Sequence, residues 1–446
     1  IVYTNAAGQI LLKVYKDTNT NQVWPEYNRY DSSGRMILSA APSAVSGYND
    51  TKPDLVNFIN DNAAYLRDSD GLVTTYQYAD VTTAMSATPG DAVNYLKSVA
   101  LRQGELGTPV PQASLTYFER TAGGETTFPV ATETQYANDN GTGARTNSYA
   151  YTFASGTTQI ASTTVTVPTI STGQNGSGSA DSLTTVNDLL GRPIWLQDQA
   201  GFITYLQYDQ STGGIVKMIA DVDTTQTSAF ANLPSGWTTP SGGGKHLTAT
   251  YEVDSLGRVT KETTPEGRVN FTVYNDADHE MRMYSGWDSA TNTPTGPTTV
   301  VREDRAGRYT ETLTMSSTPS VSSGRPTGTE SISAVQSLSR SYMNEAGQVV
   351  YTDAYFNLGG LTYSTSANLG TEGVNFYRTL FQYDDHGLLN RVVSPQGTIT
   401  RTLSDGLHRP VSVWVGTDDT PTSGFWSPTN LTGTDMVKTG DYEYDN

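Results

Sequence analysis

The chain has 446 residues, with 27 Lys and Arg against 45 Asp and Glu, a formal net charge of −18. That surplus repels phosphate backbones and anionic lipid, which argues against nucleic-acid binding and membrane-surface attachment. Cysteine is absent, so disulfides and thiol chemistry are excluded, and no run of about 18 apolar residues is present to span a bilayer as a helix.

Tyrosine (27) outnumbers phenylalanine (11) and tryptophan (6) together, and glycine reaches 42. Short strands, many turns and half-buried rings suit that mix, so an all-β protein is expected, either as two or three domains or as one repetitive array. The chain opens at Ile1 with no basic-then-apolar leader, so any export signal is expected outside this segment or already removed.

Asn5 to Gly8 is the first turn signal, and Asp31-Ser-Ser-Gly34-Arg35 after Tyr30 is a fuller one. Asp can accept turn amides through its side chain, and Gly takes the left-handed position that closes the turn. Asp68-Ser-Asp-Gly71 follows, with Tyr78 seven residues after its glycine; the same offset recurs at Gly201 to Tyr208 and at Gly267 to Tyr274. Residues 40–110 interrupt the pattern. Apolar spacing over 53–66, opened by Pro53, predicts a short helix. Asp91 as N-cap and Gly104 as stop predict a second over 91–103. Strand-like runs then extend to about residue 168, and Ser171–Ala180 reads as a Gly/Ser-rich loop and candidate internal boundary.

From residue 181 the signal becomes dense. Asp188-Leu-Leu-Gly191-Arg192, Asp254-Ser-Leu-Gly257-Arg258, Asp304-Arg-Ala-Gly307-Arg308 and Asp384-Asp-His-Gly387 repeat one motif, joined by Asn344 to Gly347 and by Asp405 to Arg409. Asp188 to Asp209 and Asp384 to Asp405 each span 21 residues, the length of two short strands and two turns. His279 and His408 occupy the glycine slot, where histidine tolerates positive φ better than most residues. Segments 221–245, 285–298 and 316–329 read as surface loops.

These repeated motifs, with Tyr30-Asp31 and Tyr383-Asp384 as full copies, resemble the YD repeat of the Rhs family. The resemblance covers most of 180–446 and part of 1–80. It implies an all-β ribbon of antiparallel hairpins that spirals into a hollow shell or tube, here with two inserted helices. Residues 1–180 would be a divergent segment and 181–446 a regular one, ending mid-repeat at Tyr444-Asp445. Relatives include bacterial polymorphic toxins, cocoon components of insecticidal toxin complexes and teneurin-like surface proteins. The Asp-Pro-containing self-cleaving core of toxin shells has no counterpart here, so cleavage and cargo are not assigned.

No chemistry competes with that reading. His246, His279, His386 and His408 lack metal-ligand spacing, and Gly242-Gly-Gly-Lys245 lacks the Ser/Thr of a phosphate loop. Asp68 with Asp70, Asp276 with Asp278, Asp384 with Asp385, and Asp418 with Asp419 could suggest structural calcium, but turn capping explains them without a full oxygen ligand set. The expectation is therefore a non-catalytic structural protein without cofactor. It would be secreted or surface-attached, bacterial, and partnered by its own further repeats or by other copies in a fibre. Two alternatives remain: a shell enclosing a toxin cargo, and a module whose Trp24, Trp237, Trp287 and Trp426 stack on surface glycans.

Overall fold

In the computed structural model, residues 1–16, 22–60, 62–366, 369–422 and 426–444 are described. Asp445 of the last Tyr-Asp pair lies outside them. The expected all-β ribbon is present: among the described residues 27 strands belong to one antiparallel sheet, and four small hairpins accompany it. Among the described residues the one helical element is the 3₁₀ turn Thr172–Gln174.

The two expected inserted helices are absent. In 53–66, Leu55, Asn57 and Asn60 all take left-handed φ (64°, 52° and 53°), which a right-handed helix cannot contain. Asp54 accepts the amides of Asn57 and Phe58, and a small hairpin pairs Phe58–Ile59 with Asn62–Ala63. The apolar spacing was a burial signal all the same: Leu55, Val56, Ala63 and Leu66 pack with Leu12, Leu38 and Val73 in one core cluster. In 91–103, Leu96–Gln103 is instead a strand between Leu72–Tyr78 and Val110–Tyr117. A short apolar run fits either period, and two hydrogen-bonding neighbours decide for the strand.

The chain divides into two compact units, the first comprising Ile1–Tyr205 and Ala220–His246, the second Leu206–Ile219 and Leu247–Glu443. In each, successive long strands pair antiparallel with the next in sequence. Two panels matter below. In the first unit, Val110–Tyr117, Val130–Tyr136, Ala144–Phe153, Ile160–Thr166 and Ser182–Asn187 lie side by side. In the second unit, six neighbours run Glu280–Tyr284, Thr298–Asp304, Tyr309–Met315, Val335–Met343, Val349–Tyr355 and Phe376–Tyr383.

A meander puts alternate connections at opposite ends of its strands. In the second unit one end carries tight turns at 254–258, 275–279, 304–308, 344–348, 384–388 and 405–409. The other end carries tight turns at 264–268 and 394–398, and long connections at 285–298, 316–334, 356–375 and 416–436. Those long connections are not simple surface loops. They fold over one face of the sheet and bury its side chains.

Candidate functional site

The repeat turn is built by one carboxylate. Asp254 accepts the Leu256 and Arg258 amides on Oδ1 (2.9 and 3.0 Å) and the Arg258 Nε on Oδ2 (2.7 Å). The Gly257 amide donates to the Asp254 carbonyl (3.0 Å), and Gly257 sits at φ 79°. The Asp254 amide donates to the Arg258 carbonyl (2.9 Å), which makes this a three-residue loop closed by a glycine bulge, and a separate register slip follows between Glu252 and Val253. Asp31 with Gly34 and Arg35, and Asp188 with Gly191 and Arg192, repeat the same bonds within about 0.1 Å. Asp405 does so with His408 in the glycine slot at φ 67°. Asp384 and Gly387 keep the backbone half of the motif with Leu388 in place of arginine. Asp304 departs from it: Arg308 (φ 52°), not Gly307, takes the left-handed position, and its guanidinium reaches Glu345 instead of Asp304.

These contacts set the acidity of the turns. The Arg35 side chain and amide hold the Asp31 carboxyl below its ordinary range. At Asp254 partial desolvation opposes, and the Arg258 amide and guanidinium outweigh it. Asp209, held by the Ser211 hydroxyl and the Thr212 amide and hydroxyl, is lowered to about 2.

Asn5 and Gln9 form a neutral version of the Asp–Arg clamp, Asn5 Nδ2 donating to Gln9 Oε1 at 2.8 Å, and Asn344 with Gln348 duplicates it. Each glutamine then reaches the next turn on the same edge: Gln9 Nε2 donates to the Gly34 carbonyl (2.6 Å), Gln348 Nε2 to the Gly387 carbonyl (3.1 Å). The tyrosine of the following Tyr-Asp pair answers in the opposite direction. Tyr30 donates to the Ile10 carbonyl (3.1 Å) and Tyr383 to the Val349 carbonyl (2.9 Å), the first residue after each glutamine. So the tyrosine and the residue after the glycine stitch neighbouring turns together. Along the second unit's turn edge, Arg258 to Asp276 (2.6 and 3.0 Å), Arg308 to Glu345 and the His386–His408 ring contact extend that row.

A second construction was not read from the sequence. In the 280–383 panel, Glu280, Arg302, Glu311, Arg340, Asp353 and Arg378 stand directly opposite one another on six successive strands. Charge alternates along the whole row. Arg302 Nε donates to Glu311 Oε1 (3.0 Å), Arg340 Nε to Glu311 Oε2 (2.9 Å), and Arg378 holds Asp353 with two bonds of 2.7 Å. Arg340 and Glu311 have no exposed side-chain surface. An aromatic row flanks it, Tyr309 to Tyr342 to Tyr351, with Arg378 3.9 Å from the Tyr351 centroid.

Side chains on a strand alternate between faces, so the whole row points to one side. The long connections cover that side. Segment 356–375 offers the Ser364 and Ser366 carbonyls to Arg340 and the Tyr363 hydroxyl to Glu311. Segment 316–334 brings Glu330 onto Tyr284 and Arg282, and segment 285–298 packs Trp287 on Phe271. Segment 416–436 inserts Asp419 between Arg391 and Arg401. Trp287 and Trp426, candidates for glycan stacking by sequence, are buried inside such connections. Between segments 316–334 and 356–375 lies a cavity of about 390 Å³, lined by Ile332, Val335, Leu338, Leu358, Leu361 and Leu369 among others.

The second unit thus combines a stitched turn edge and a covered charged face with hydroxyl pairs such as Thr314 with Ser337 on the opposite face. Among the described residues no group of three or more His, Asp or Glu could hold a metal. No family model and no curated protein matches the sequence. Solved structures do. A crystal structure of TcdB2-TccC3-TEV aligns with 91% of this chain at 12% identity and TM-score 0.38. The Photorhabdus luminescens Tc holotoxin pore with the TccC3 D651A mutation aligns with 93% at 13% identity and TM-score 0.31. TcdB2-TccC3 without the hypervariable C-terminal region aligns with all of it at 12% and 0.32. The chain spans about a quarter of the length of those chains.

Proposed function

We propose that this chain is a non-catalytic wall segment of Rhs, YD-repeat type. It belongs to a longer secreted or surface-attached bacterial array, and it needs no cofactor. The observation that supports this is the reciprocal stitch between consecutive turns. The pair Gln9–Gly34 with Tyr30–Ile10 recurs as Gln348–Gly387 with Tyr383–Val349, in different units of the chain. A stitch from each turn to the next has no natural end, so it suits an extensible ribbon in which stability accumulates between neighbours. The repeated side chains of the motif are engaged in holding neighbouring turns together.

The test is cryo-electron microscopy of the natural gene product, combined with limited proteolysis and peptide mapping. The expected result is that residues 1–446 form part of one continuous β wall, and that their turn edge resists cleavage. A protected segment outside the repeats would make the wall an enclosure for cargo. An isolated pair of domains with both outer strands open to solvent would overturn the proposal.

A further inference from the structure

The cavity of about 390 Å³ in the second unit lies between two covering segments and the sheet beneath them. Strand Val335–Met343 contributes its floor, through Val335 and Leu338. Leu338 and Leu369 belong to a buried cluster with Val300, Leu313 and Met315, and Leu358 and Leu361 pack against it. Among the described residues of the lining the polar side chains are Ser333, Thr362 and Tyr363, and none carries a charge at neutral pH. The Tyr363 hydroxyl is already committed, donating to Glu311. Ser333, Ala334 and Thr362 are exposed, so the cavity reaches solvent on that side.

Packed interiors keep few voids larger than a water molecule, because unfilled space forfeits contacts. This one is held open from outside. Arg340 fixes segment 356–375 through the Ser366 and Ser364 carbonyls (2.6 and 2.5 Å), and the Tyr355 hydroxyl donates to the Leu369 carbonyl (2.8 Å). Asn357 and Asn375 close the two ends of that segment on each other. The other wall is tied by the Ser317 hydroxyl, which donates to the Ser333 carbonyl (2.6 Å), and by the Ser316 amide on the Ala334 carbonyl (3.2 Å). The bonds that seat the covers thus also keep them from collapsing onto Leu338. Water is a poor filling, since it needs about two to four polar partners and the walls are mainly aliphatic.

We propose that this cavity binds one uncharged apolar molecule, which enters past Thr362. A dry cavity of about 150 Å³ holds benzene, so about 390 Å³ suits a ligand on the order of 15 carbon atoms. An ionised group would lose its hydration there and find no counter-charge in the lining. The ligand is therefore aromatic or aliphatic, and neutral throughout its buried part.

The full-length protein is titrated with two dyes that brighten in apolar surroundings. N-phenyl-1-naphthylamine is neutral, and 8-anilinonaphthalene-1-sulfonate carries the same rings with a sulfonate. The neutral dye is expected to saturate one site, and the sulfonate to bind at least about tenfold more weakly. Leu361→Trp fills the cavity and should weaken the neutral dye by about tenfold or more. Leu256→Ser, at an exposed turn, should leave it unchanged. Absence of saturable binding, equal affinity for both dyes, or undiminished binding in Leu361→Trp would overturn the site. Should Leu361→Trp fail to fold, wild-type crystals soaked in the neutral dye decide. Density for the dye between Leu338 and Leu361 supports the site, and a space closed by collapse or filled with ordered water refutes it.

Discussion

The two panels of neighbouring strands solve one problem in two ways. In the 110–187 panel the rungs are hydroxyls. Thr116 pairs with Thr132 (2.6 Å), Thr134 with Thr146 (2.8 Å), Thr164 with Thr184 (2.9 Å) and Thr166 with Ser182 (2.9 Å). These side chains are half-buried or exposed, so water competes for every rung. In the 280–383 panel the covered face has charged rungs, and its opposite face keeps hydroxyl pairs such as Thr314 with Ser337 (2.7 Å). The difference follows the long connections. Where a connection seals a face, a polar rung must be satisfied completely, and a bidentate ion pair does that with fewer atoms left over than a hydroxyl pair. Where water reaches the face, neutral rungs suffice. A surface polar pair is then a matter of sheet propensity, and a buried one is a matter of folding.

The largest expected effect breaks the sealed row. Arg340→Met leaves Glu311 buried beside one fewer guanidinium, and urea denaturation should report a loss of about 3–5 kcal/mol. Replacing both partners, Glu311→Leu with Arg340→Met, should recover more than half of it, because removing a buried charge together with its partner leaves less unpaired. A loss below about 1 kcal/mol in the single variant would mean that the covering connection opens readily and that the row is solvated.

Next come the turns. Gly257→Val places a β-branched residue at left-handed φ, with the new Cβ 3.2 Å from the Thr212 carbonyl oxygen, and should cost about 2 kcal/mol. Gly191→Val imposes the same backbone strain, but its Cβ meets nothing within 4 Å, so it should cost less. Equal losses would show that strain alone sets the cost and that the contact with the 209–213 turn contributes nothing.

The carboxylate clamps bring in pH. Asp31, Asp188, Asp209 and Asp254 all have lowered pKa values in the folded chain. The unfolded chain then binds more protons than the folded chain as pH falls, so stability is fully present above about pH 4 and declines toward about pH 2. Asp254→Asn should flatten that decline slightly, since asparagine keeps the backbone bonds, as Asn5 and Asn344 do, and does not titrate. An acid profile identical to wild type would remove Asp254 from the titrating set.

Most of the repeat turns were legible because the acid, the glycine and the residue that follows lie within five residues, whereas Asp304-Arg-Ala-Gly307-Arg308 carries the same motif and puts Arg308 in the left-handed position instead. His408 in the glycine slot was legible for the same reason. The helices expected at 53–66 and 91–103 failed because apolar spacing reports burial without fixing backbone shape. Left-handed Leu55 and the neighbours of strand Leu96–Gln103 are tertiary facts. The charged row was invisible for a stronger reason. Glu280 and Arg378 belong to one line only through five registers, three of which cross the long connections 285–298, 316–334 and 356–375 that carry no periodic signal.

The smallest effect sharpens the contrast from the other side. Thr164→Val removes one rung of the hydroxyl panel, the 2.9 Å bond to Thr184. Valine favours a strand at least as well as threonine, and water can satisfy the Thr184 hydroxyl on a half-exposed face. The change should stay within about 0.5 kcal/mol in the same urea assay. That near-neutrality is informative only beside Arg340→Met, because both variants delete one cross-strand polar rung from one ribbon. If Thr164→Val instead cost more than about 1.5 kcal/mol, the hydroxyl panel would behave as a sealed face. The division between open and covered rungs would then have to be drawn elsewhere than at the long connections.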